Sequence, residues 1–235
     1  MARWILRGNT RSNLAIVSNL GVAYVIKVGN VPSTTGYGEP VQSFLNFKDG
    51  ERVIGATLVP PSEGESEVKE LWLVATAGGM GLFCRPDMAE TTKSGRRYAR
   101  VKEGDEITVA VPGEGDRVTA VTRQGKLLSF PADQLPELAG PGRGVILMRL
   151  DKGDAVASAL LHPRRAKLVV IGSDGSERPL ERPELGQRAQ KGRRVVKKIE
   201  VAELRLLDPP LAPVAAAPLK GNGRSKQGSL FDEED

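Results

Sequence analysis

The chain has 235 residues, 34 Lys and Arg against 29 Asp and Glu, a formal net charge of +5 and a pI near 9.4. Its one cysteine, Cys84, excludes an internal disulfide framework and any multi-thiolate metal site. Met1-Ala2-Arg3-Trp4-Ile5-Leu6-Arg7 lacks the apolar run of a signal peptide, and no stretch of about 20 apolar residues occurs after it. The expectation is a cytoplasmic protein with no membrane partner, whose excess of cations suits an anionic one.

In chain order, a unit of about fifty residues occurs four times. Each copy opens on a short apolar strand that ends in a turn glycine. These openings are Leu14-Ala15-Ile16-Val17-Ser18-Asn19-Leu20-Gly21, Leu73-Val74-Ala75-Thr76-Ala77-Gly78-Gly79, Ala120-Val121-Thr122-Arg123-Gln124-Gly125 and Val169-Val170-Ile171-Gly172-Ser173-Asp174-Gly175. Gly21, Gly79, Gly125 and Gly175 are separated by 58, 46 and 50 residues. The first three copies share a second anchor, Asp49-Gly50-Glu51, Glu103-Gly104-Asp105 and Lys152-Gly153-Asp154. Further strands are expected at residues 22–26, 53–59, 107–111, 118–121, 145–150 and 167–171, all β-branched runs bounded by turn residues. Trp4 and Trp72 are expected to begin strands and pack inside, Cys84 to lie in the core, and His162 to sit in the connector His162-Pro163-Arg164-Arg165.

No segment has sustained helical periodicity. The period and the many short strands therefore predict an all-β, propeller-like array of about four blades over residues 3–208. Residues 63–69 form a polar insertion between copies one and two. Residues 209–235 change character, with a Pro/Ala linker leading to a Gly-rich, then acidic end, and are expected to be a disordered tail.

Between turn strand and anchor, three copies carry cations. Copy two reads Thr91-Thr92-Lys93-Ser94-Gly95-Arg96-Arg97-Tyr98-Ala99-Arg100-Val101-Lys102, copy three Gly140-Pro141-Gly142-Arg143-Gly144-Val145, and copy four Arg188-Ala189-Gln190-Lys191-Gly192-Arg193-Arg194-Val195-Val196-Lys197-Lys198. Copy one has no cation in its Thr34-Thr35-Gly36-Tyr37-Gly38-Glu39-Pro40. Gly95 and Gly144 each precede their anchor glycine by nine residues, so the cations recur at one structural position. A periodic cationic rim suits the evenly charged backbone of double-stranded DNA, and the glycines are expected to let backbone N–H groups approach phosphate. No aromatic clusters interleave with the cations, which argues against stacking on single strands. The residues expected to neutralise phosphates are Lys93, Arg96, Arg97, Arg100, Lys126, Arg143, Arg164, Arg165, Lys191, Arg193, Arg194, Lys197 and Lys198.

These motifs resemble the C-terminal domain of the A subunit of bacterial DNA gyrase and topoisomerase IV. The shared pattern is a strand ending Ala-Thr-x-x-Gly, a Gly-rich basic turn, a further strand, then Gly-Asp or Gly-Glu. It appears as Val74-Ala75-Thr76-Ala77-Gly78-Gly79 with Lys102-Glu103-Gly104-Asp105, and as Gln124-Gly125-Lys126, Gly142-Arg143-Gly144-Val145 and Leu150-Asp151-Lys152-Gly153-Asp154. The resemblance implies a β-pinwheel, a nucleoid-associated location, partnership with topoisomerase catalytic subunits, and duplex DNA bent around the outer edge. The gyrase wrapping motif Gln-Arg-Arg-Gly-Gly-Lys-Gly is absent, which tilts the resemblance to topoisomerase IV. Copy four also lacks the Gly-Asp anchor, having Glu200-Val201-Ala202-Glu203. The family's cleavage domain is not in this chain, so it is expected to be an accessory domain and not an enzyme by itself. None of Tyr24, Tyr37 and Tyr98 is assigned a catalytic role.

The end of the chain, Gln227-Gly228-Ser229-Leu230-Phe231, resembles the short peptide by which replication and repair proteins dock on the polymerase sliding clamp. Gln227, Leu230 and Phe231 would make that contact. An acidic end folded back on the basic rim, or an end with no partner, are the other readings. A protein-interaction propeller, docking on the clamp through this tail, is the alternative function. No metal or cofactor is expected. Gly78-Gly79-Met80-Gly81 has no helix after it and Gly125-Lys126 lacks the rest of a phosphate loop. Asp105 and Asp154 recur at one position in successive copies and read as turn formers.

Overall fold

The computed structural model describes residues 4–33, 35–59, 70–180 and 183–207. The expected insertion at residues 63–69 and the tail at 209–235 lie outside them. Apart from short 3-10 turns at Val28–Asn30, Val41–Ser43 and Ala132–Gln134, the regular elements are strands. Strands β1 (Asn13–Ser18) and β2 (Val22–Lys27) form a hairpin, and β3 (Val53–Val59) returns antiparallel to β1. The unit repeats in β4 (Trp72–Thr76), β5 (Met80–Cys84) and, after the short β6 (Arg96–Arg97), β7 (Ile107–Pro112). It repeats again in β8 (Arg117–Thr122), β9 (Lys126–Pro131) and, after the two-residue β10 (Glu137–Leu138) and β11 (Val145–Ile146), β12 (Val156–His162). The last copy is β13 (Leu168–Gly172), β14 (Glu177–Leu180) and, after β15 (Arg193–Arg194), β16 (Val201–Leu206).

Local chemistry fixes each hairpin. The turn glycines Gly21, Gly79, Gly125 and Gly175 have φ of +79°, +84°, +80° and +80°, a conformation that side chains with a Cβ resist. Ser18, Thr76 and Thr122 close the first three turns by accepting the N–H of Val22, Met80 and Lys126 at 3.3, 3.2 and 3.1 Å. The fourth has Gly172 at that place, and Asp174 instead accepts the N–H of Ser176 at 3.0 Å. Each first strand shifts register against its third strand next to the turn, at Val17/Ser18, Ala75/Thr76, Val156/Ser158 and Ile171/Gly172. Such a bulge adds local twist. Asp105 accepts the N–H of Gly78 at 2.8 Å and Asp154 that of Gln124 at 3.1 Å, so the repeated acids tie the anchor to the hairpin turn.

The sheets are completed by exchange. Blade one has the order β3-β1-β2-β6 and blade three β12-β8-β9-β15, so the outermost strand of each comes from the next repeat. In blade two β11 pairs with β5 beside Met80 and Gly81, in the same register, and β10 pairs with β5 in parallel. The turn glycine carbonyl clasps each exchanged segment with two bonds. Gly21 accepts from Tyr98 and Ala99 at 2.9 and 3.3 Å, Gly79 from Leu147 and Met148 at 2.8 and 3.3 Å, and Gly125 from Val195 and Val196 at 2.8 and 3.2 Å. Among the described residues blade four, β14-β13-β16, has three strands.

The core lies between blades. Val17, Ala23, Trp72, Val74, Leu82 and Ile107 fill the space between blades one and two. Leu73, Phe83, Val118, Phe130 and Leu147 do so between two and three, and Val121, Leu127, Leu168, Val170 and Leu204 between three and four. A side-chain bridge reinforces the first interface, with Arg52 to Glu106 at 2.6 Å and Asn19 donating to Glu106 at 3.2 Å. Arg52 is the main cause of the lowered Glu106 pKa. The outward face of blade one is closed by its own loop, where Leu45 is buried and the rings of Tyr24 and Phe47 are 4.8 Å apart.

Several expectations change. Trp72 begins β4 and is 3% exposed, but Trp4 lies outside any strand at 38%. Only Val145–Ile146 of the expected strand at 145–150 is one, because the chain then turns in to reach Gly79. His162 is not in a loop. It ends β12, buried, with Nε2 at 2.8 Å from the Thr119 hydroxyl and Nδ1 at 2.9 Å from the Pro163 carbonyl. Blade four is shortened. Ile107, Val156 and Val201 hold one place, donating to Asn19, Ala77 and Arg123 at 2.8, 3.0 and 2.8 Å. They come eight, eight and five residues after Ala99, Met148 and Val196, and the three missing residues are the Gly-Asp anchor.

Candidate nucleic-acid interface

The exchanged strands form the outermost edge of the blades they join, and this is where two of the basic clusters lie. Arg96 and Arg97 sit opposite Ala23 and Val22, and Arg193 and Arg194 opposite Leu127 and Lys126. Successive side chains of a strand point to opposite faces. Arg97 and Arg194 therefore share one face of the rim, and Arg96 and Arg193 the other. The equivalent pair in repeat three is Val145 and Ile146, so its cation is displaced to Arg143 in the preceding loop.

The glycines in these loops serve the exchange. Gly95, Gly144 and Gly192 have φ of +67°, +70° and +71°, and a Cβ on any of them would meet the carbonyl of Ala23, Gly81 or Leu127. The close approach is to the neighbouring strand and not to an open surface, which corrects the expected phosphate-facing role.

A second row of cations lies beside the first. Five residues after each of these glycines stand Arg100, Arg149 and Lys197, all exposed. Arg100 and Arg149 donate their N–H to the carbonyls of Gly142 and Gln190 at 2.9 and 3.0 Å, in the next repeat's loop. Asn46 holds the same place in repeat one, donating to Lys93 at 2.8 Å, which is why that repeat adds no charge. Arg149 is absent from the cations expected from sequence. Its five-residue distance from Gly144, the same as Arg100 from Gly95, is the signal that marks it.

Acids are interleaved with the cations. Asp87 pairs with Arg96 at 2.7 Å, Glu184 with Arg193, and Asp151 bridges Lys126 and Lys191, the latter at 3.0 Å. Lys126, then Lys191, hold the Asp151 carboxyl down at about 2. Lys126 is mostly covered, with its side chain 17% exposed. Among the described residues no ion pair reaches Lys93, Arg97, Arg100, Arg143, Arg164, Arg165, Arg194, Lys197 or Lys198. Arg97 donates to the Leu20 carbonyl at 3.2 Å.

Arg164 and Arg165 stand apart. They lie in the β12–β13 connector, at the opposite end of the strands from the turn glycines. A cleft lined by Arg117, His162, Arg164 and Arg165 shares Ser129, Pro183 and Leu185 with one lined by Lys191, Arg193 and Arg194. The two groups are thus at two ends of one groove along blade three. Gln227, Leu230 and Phe231 lie outside the described residues. Among the described residues there is no cluster of His, Cys, Asp and Glu that could hold a metal ion, and no helix is long and apolar enough to cross a membrane.

A family profile described as the DNA gyrase C-terminal domain, beta-propeller, matches residues 12–60 and 116–163. These segments hold the hairpin and third strand of repeats one and three. The A subunit of DNA topoisomerase 4 from Salmonella typhimurium is 25% identical over 153 residues, and that from Escherichia coli 26% identical over 153 residues. Both alignments cover 64% of this chain and 19% of the relative, so the chain matches about a fifth of their length. The DNA gyrase A subunit of Rickettsia conorii is 25% identical over 155 residues, 64% of this chain and 17% of the relative. Among solved structures, the C-terminal domain of a DNA topoisomerase IV superposes with a TM-score of 0.72 at 19% identity, covering 86% of this chain and 66% of that one. The E. coli ParC C-terminal domain gives 0.65 at 23% identity, covering 85% and 83%. With its four blades linked by exchanged strands and these matches, the chain has the β-pinwheel fold and is similar to the C-terminal domains of the A subunits of DNA gyrase and topoisomerase IV.

Proposed function

We propose that the chain binds duplex DNA without reading its sequence, bends or wraps it along the blade rim, and presents it to the catalytic subunits of a type II topoisomerase. The observation that carries this reading is the recurrence of cations that have no ion pair among the described residues, Arg97 with Arg194 on the exchanged strands of repeats two and four, and Arg100, Arg149 and Lys197 just beyond those of repeats two, three and four. Cations at a fixed repeat suit phosphates at a fixed repeat, and counterion release then supplies most of the affinity. Bending a duplex through a sharp angle costs several kcal/mol, roughly 1 to 6 by elastic estimates, and contacts spread over several blades offset it. The role assigned to these cations is positioning, with the chemistry on other domains. The names of the relatives, which are DNA topoisomerase subunits, support the partner.

A topoisomerase IV type of action is favoured over gyrase by the missing wrapping motif. The second reading, docking on the replication clamp, rests on Gln227-Gly228-Ser229-Leu230-Phe231. Gel shift of a linear duplex at two salt concentrations tests the main reading. Affinity should fall steeply with salt and be indifferent to sequence, and an affinity independent of salt overturns it.

A further inference from the structure

Blade four presents a strand site that is filled in its three predecessors and that no described residue fills here. In blades one to three an exchanged segment makes three kinds of backbone contact. A carbonyl two residues before its glycine (Lys93, Gly142, Gln190) accepts the N–H of Asn46, Arg100 or Arg149 from the preceding repeat at 2.8, 2.9 and 3.0 Å. Its next two residues pair with the start of the second strand. Its last two N–H groups reach the turn glycine carbonyl. The equivalent groups in blade four are the Lys197 N–H, the edge at Ser176 and Glu177, and the Gly175 carbonyl. Among the described residues none of them has such a partner. The contrast at the turn is direct. A Cβ on Gly21, Gly79 or Gly125 would strike the carbonyl of Ala99, Met148 or Val196, whereas one on Gly175 meets nothing within 4 Å.

The filled sites define what fits. The segments are Lys93-Ser94-Gly95-Arg96-Arg97-Tyr98-Ala99, Gly142-Arg143-Gly144-Val145-Ile146-Leu147-Met148 and Gln190-Lys191-Gly192-Arg193-Arg194-Val195-Val196. Their common pattern is a glycine at position three and a large apolar residue at position six. Residues 208–235 contain one segment of this pattern, Lys226-Gln227-Gly228-Ser229-Leu230-Phe231-Asp232. Gly228 takes the glycine place, Leu230 that of Ile146, and Phe231 that of Tyr98 and Leu147. It departs at its last position, where Asp232 stands in place of Ala99, Met148 or Val196. Those residues are buried because a further blade covers them, and the open space at Gly175 removes that requirement.

We propose that residues 226–232 of this chain dock as the fourth strand of blade four, with Leu230 and Ser229 opposite Ser176 and Glu177 and the Phe231 and Asp232 N–H groups on the Gly175 carbonyl. The chain between Leu206 and Lys226 has 19 residues, enough to span about 60 Å when extended, and a strand of one blade is only about 20 Å long. Pro179 in β14 has no N–H, so pairing stops after Glu177 and a longer foreign strand is disfavoured. Exposed Arg178, Lys197 and Lys198 give the Asp232-Glu233-Glu234-Asp235 end opposite charge to meet. Docking hides Leu230 and Phe231, so a partner that binds Gln227-Gly228-Ser229-Leu230-Phe231 would have to displace them from blade four.

Amide hydrogen exchange on the full chain tests this. The expected result is that the amides of residues 230–232, and that of Lys197, exchange about tenfold or more slower than those of residues 220–225. Gly228→Val, which puts a Cβ where the equivalent glycines have none, and Phe231→Ala should each abolish that protection while leaving the circular dichroism spectrum unchanged. Residues 230–232 exchanging as fast as residues 220–225, or protection that survives both substitutions, overturns the proposal. Protection that grows with protein concentration overturns it too, because the strand is then supplied by a second copy.

Discussion

The two faces of the exchanged strands allow a sharp test of which cations meet DNA. Arg97 and Arg194 have no ion pair among the described residues, whereas Arg96 and Arg193, one position away on the same strands, are held by Asp87 and Glu184. A cation already neutralised by a carboxylate releases little counterion when a phosphate replaces that carboxylate. Each unpaired cation that meets a phosphate contributes a slope of about −0.9 in log affinity against log salt. Arg97→Ala/Arg194→Ala should therefore make the slope shallower by about 1.8. Over a fourfold rise in salt this means that affinity falls about 12-fold less than in the parent. Arg96→Ala/Arg193→Ala removes the same formal charge and should move the slope far less. Asp87→Asn/Glu184→Gln should steepen it, because it frees both guanidinium groups. Fluorescence anisotropy of a labelled duplex, titrated at four or more salt concentrations, reads all three slopes. Equal shifts for the two arginine pairs would refute the reasoning, since charge alone and not its pairing would then govern binding.

The fold and its buried groups set further outcomes. Gly125→Ala should destabilise more than Gly153→Ala, because both adopt a left-handed backbone but only Gly125 lies against the Val196 carbonyl. A difference of about 1 kcal/mol or more in urea unfolding is expected, and equal losses would count against the exchanged-strand clasp. Burial holds the His162 pKa below its ordinary value, so the unfolded chain binds the proton more readily. Stability should then be full above the ordinary histidine pKa and decline as pH falls below it, down to the folded-state pKa. His162→Gln should flatten the pH dependence of the urea midpoint over that window. Burial also pushes the Cys84 thiol up to about 12, so a thiol reagent at mildly alkaline pH should label it only on unfolding. Rapid labelling of the folded protein would contradict its place in the core between blades one and two.

The repeat was legible because glycine is the cheap residue for a left-handed turn, and Gly21, Gly79, Gly125 and Gly175 all take that conformation. Together with the β-branched strands beside them, they set the number of blades and the hairpin of each. The recurrence of cations was legible for a similar reason, since Gly95, Gly144 and Gly192 fix the register of the residues after them. Local sequence does not encode which sheet a strand joins. Arg96–Arg97 and Arg193–Arg194 complete the blades before their own, because a two-residue strand gains its bonds from whichever edge the folded array brings near. Ion pairing was hidden for the same reason. Asp151 lies 25 residues from Lys126 and 40 from Lys191, and only the packing of repeat four on blade three brings the three charges together. His162, beside a proline and two arginines, reads as loop, yet β12 carries it inward to Thr119. Periodicity is a property of the chain and survives in its sequence. Neighbourhood is a property of the closed array, and tertiary structure alone decides it.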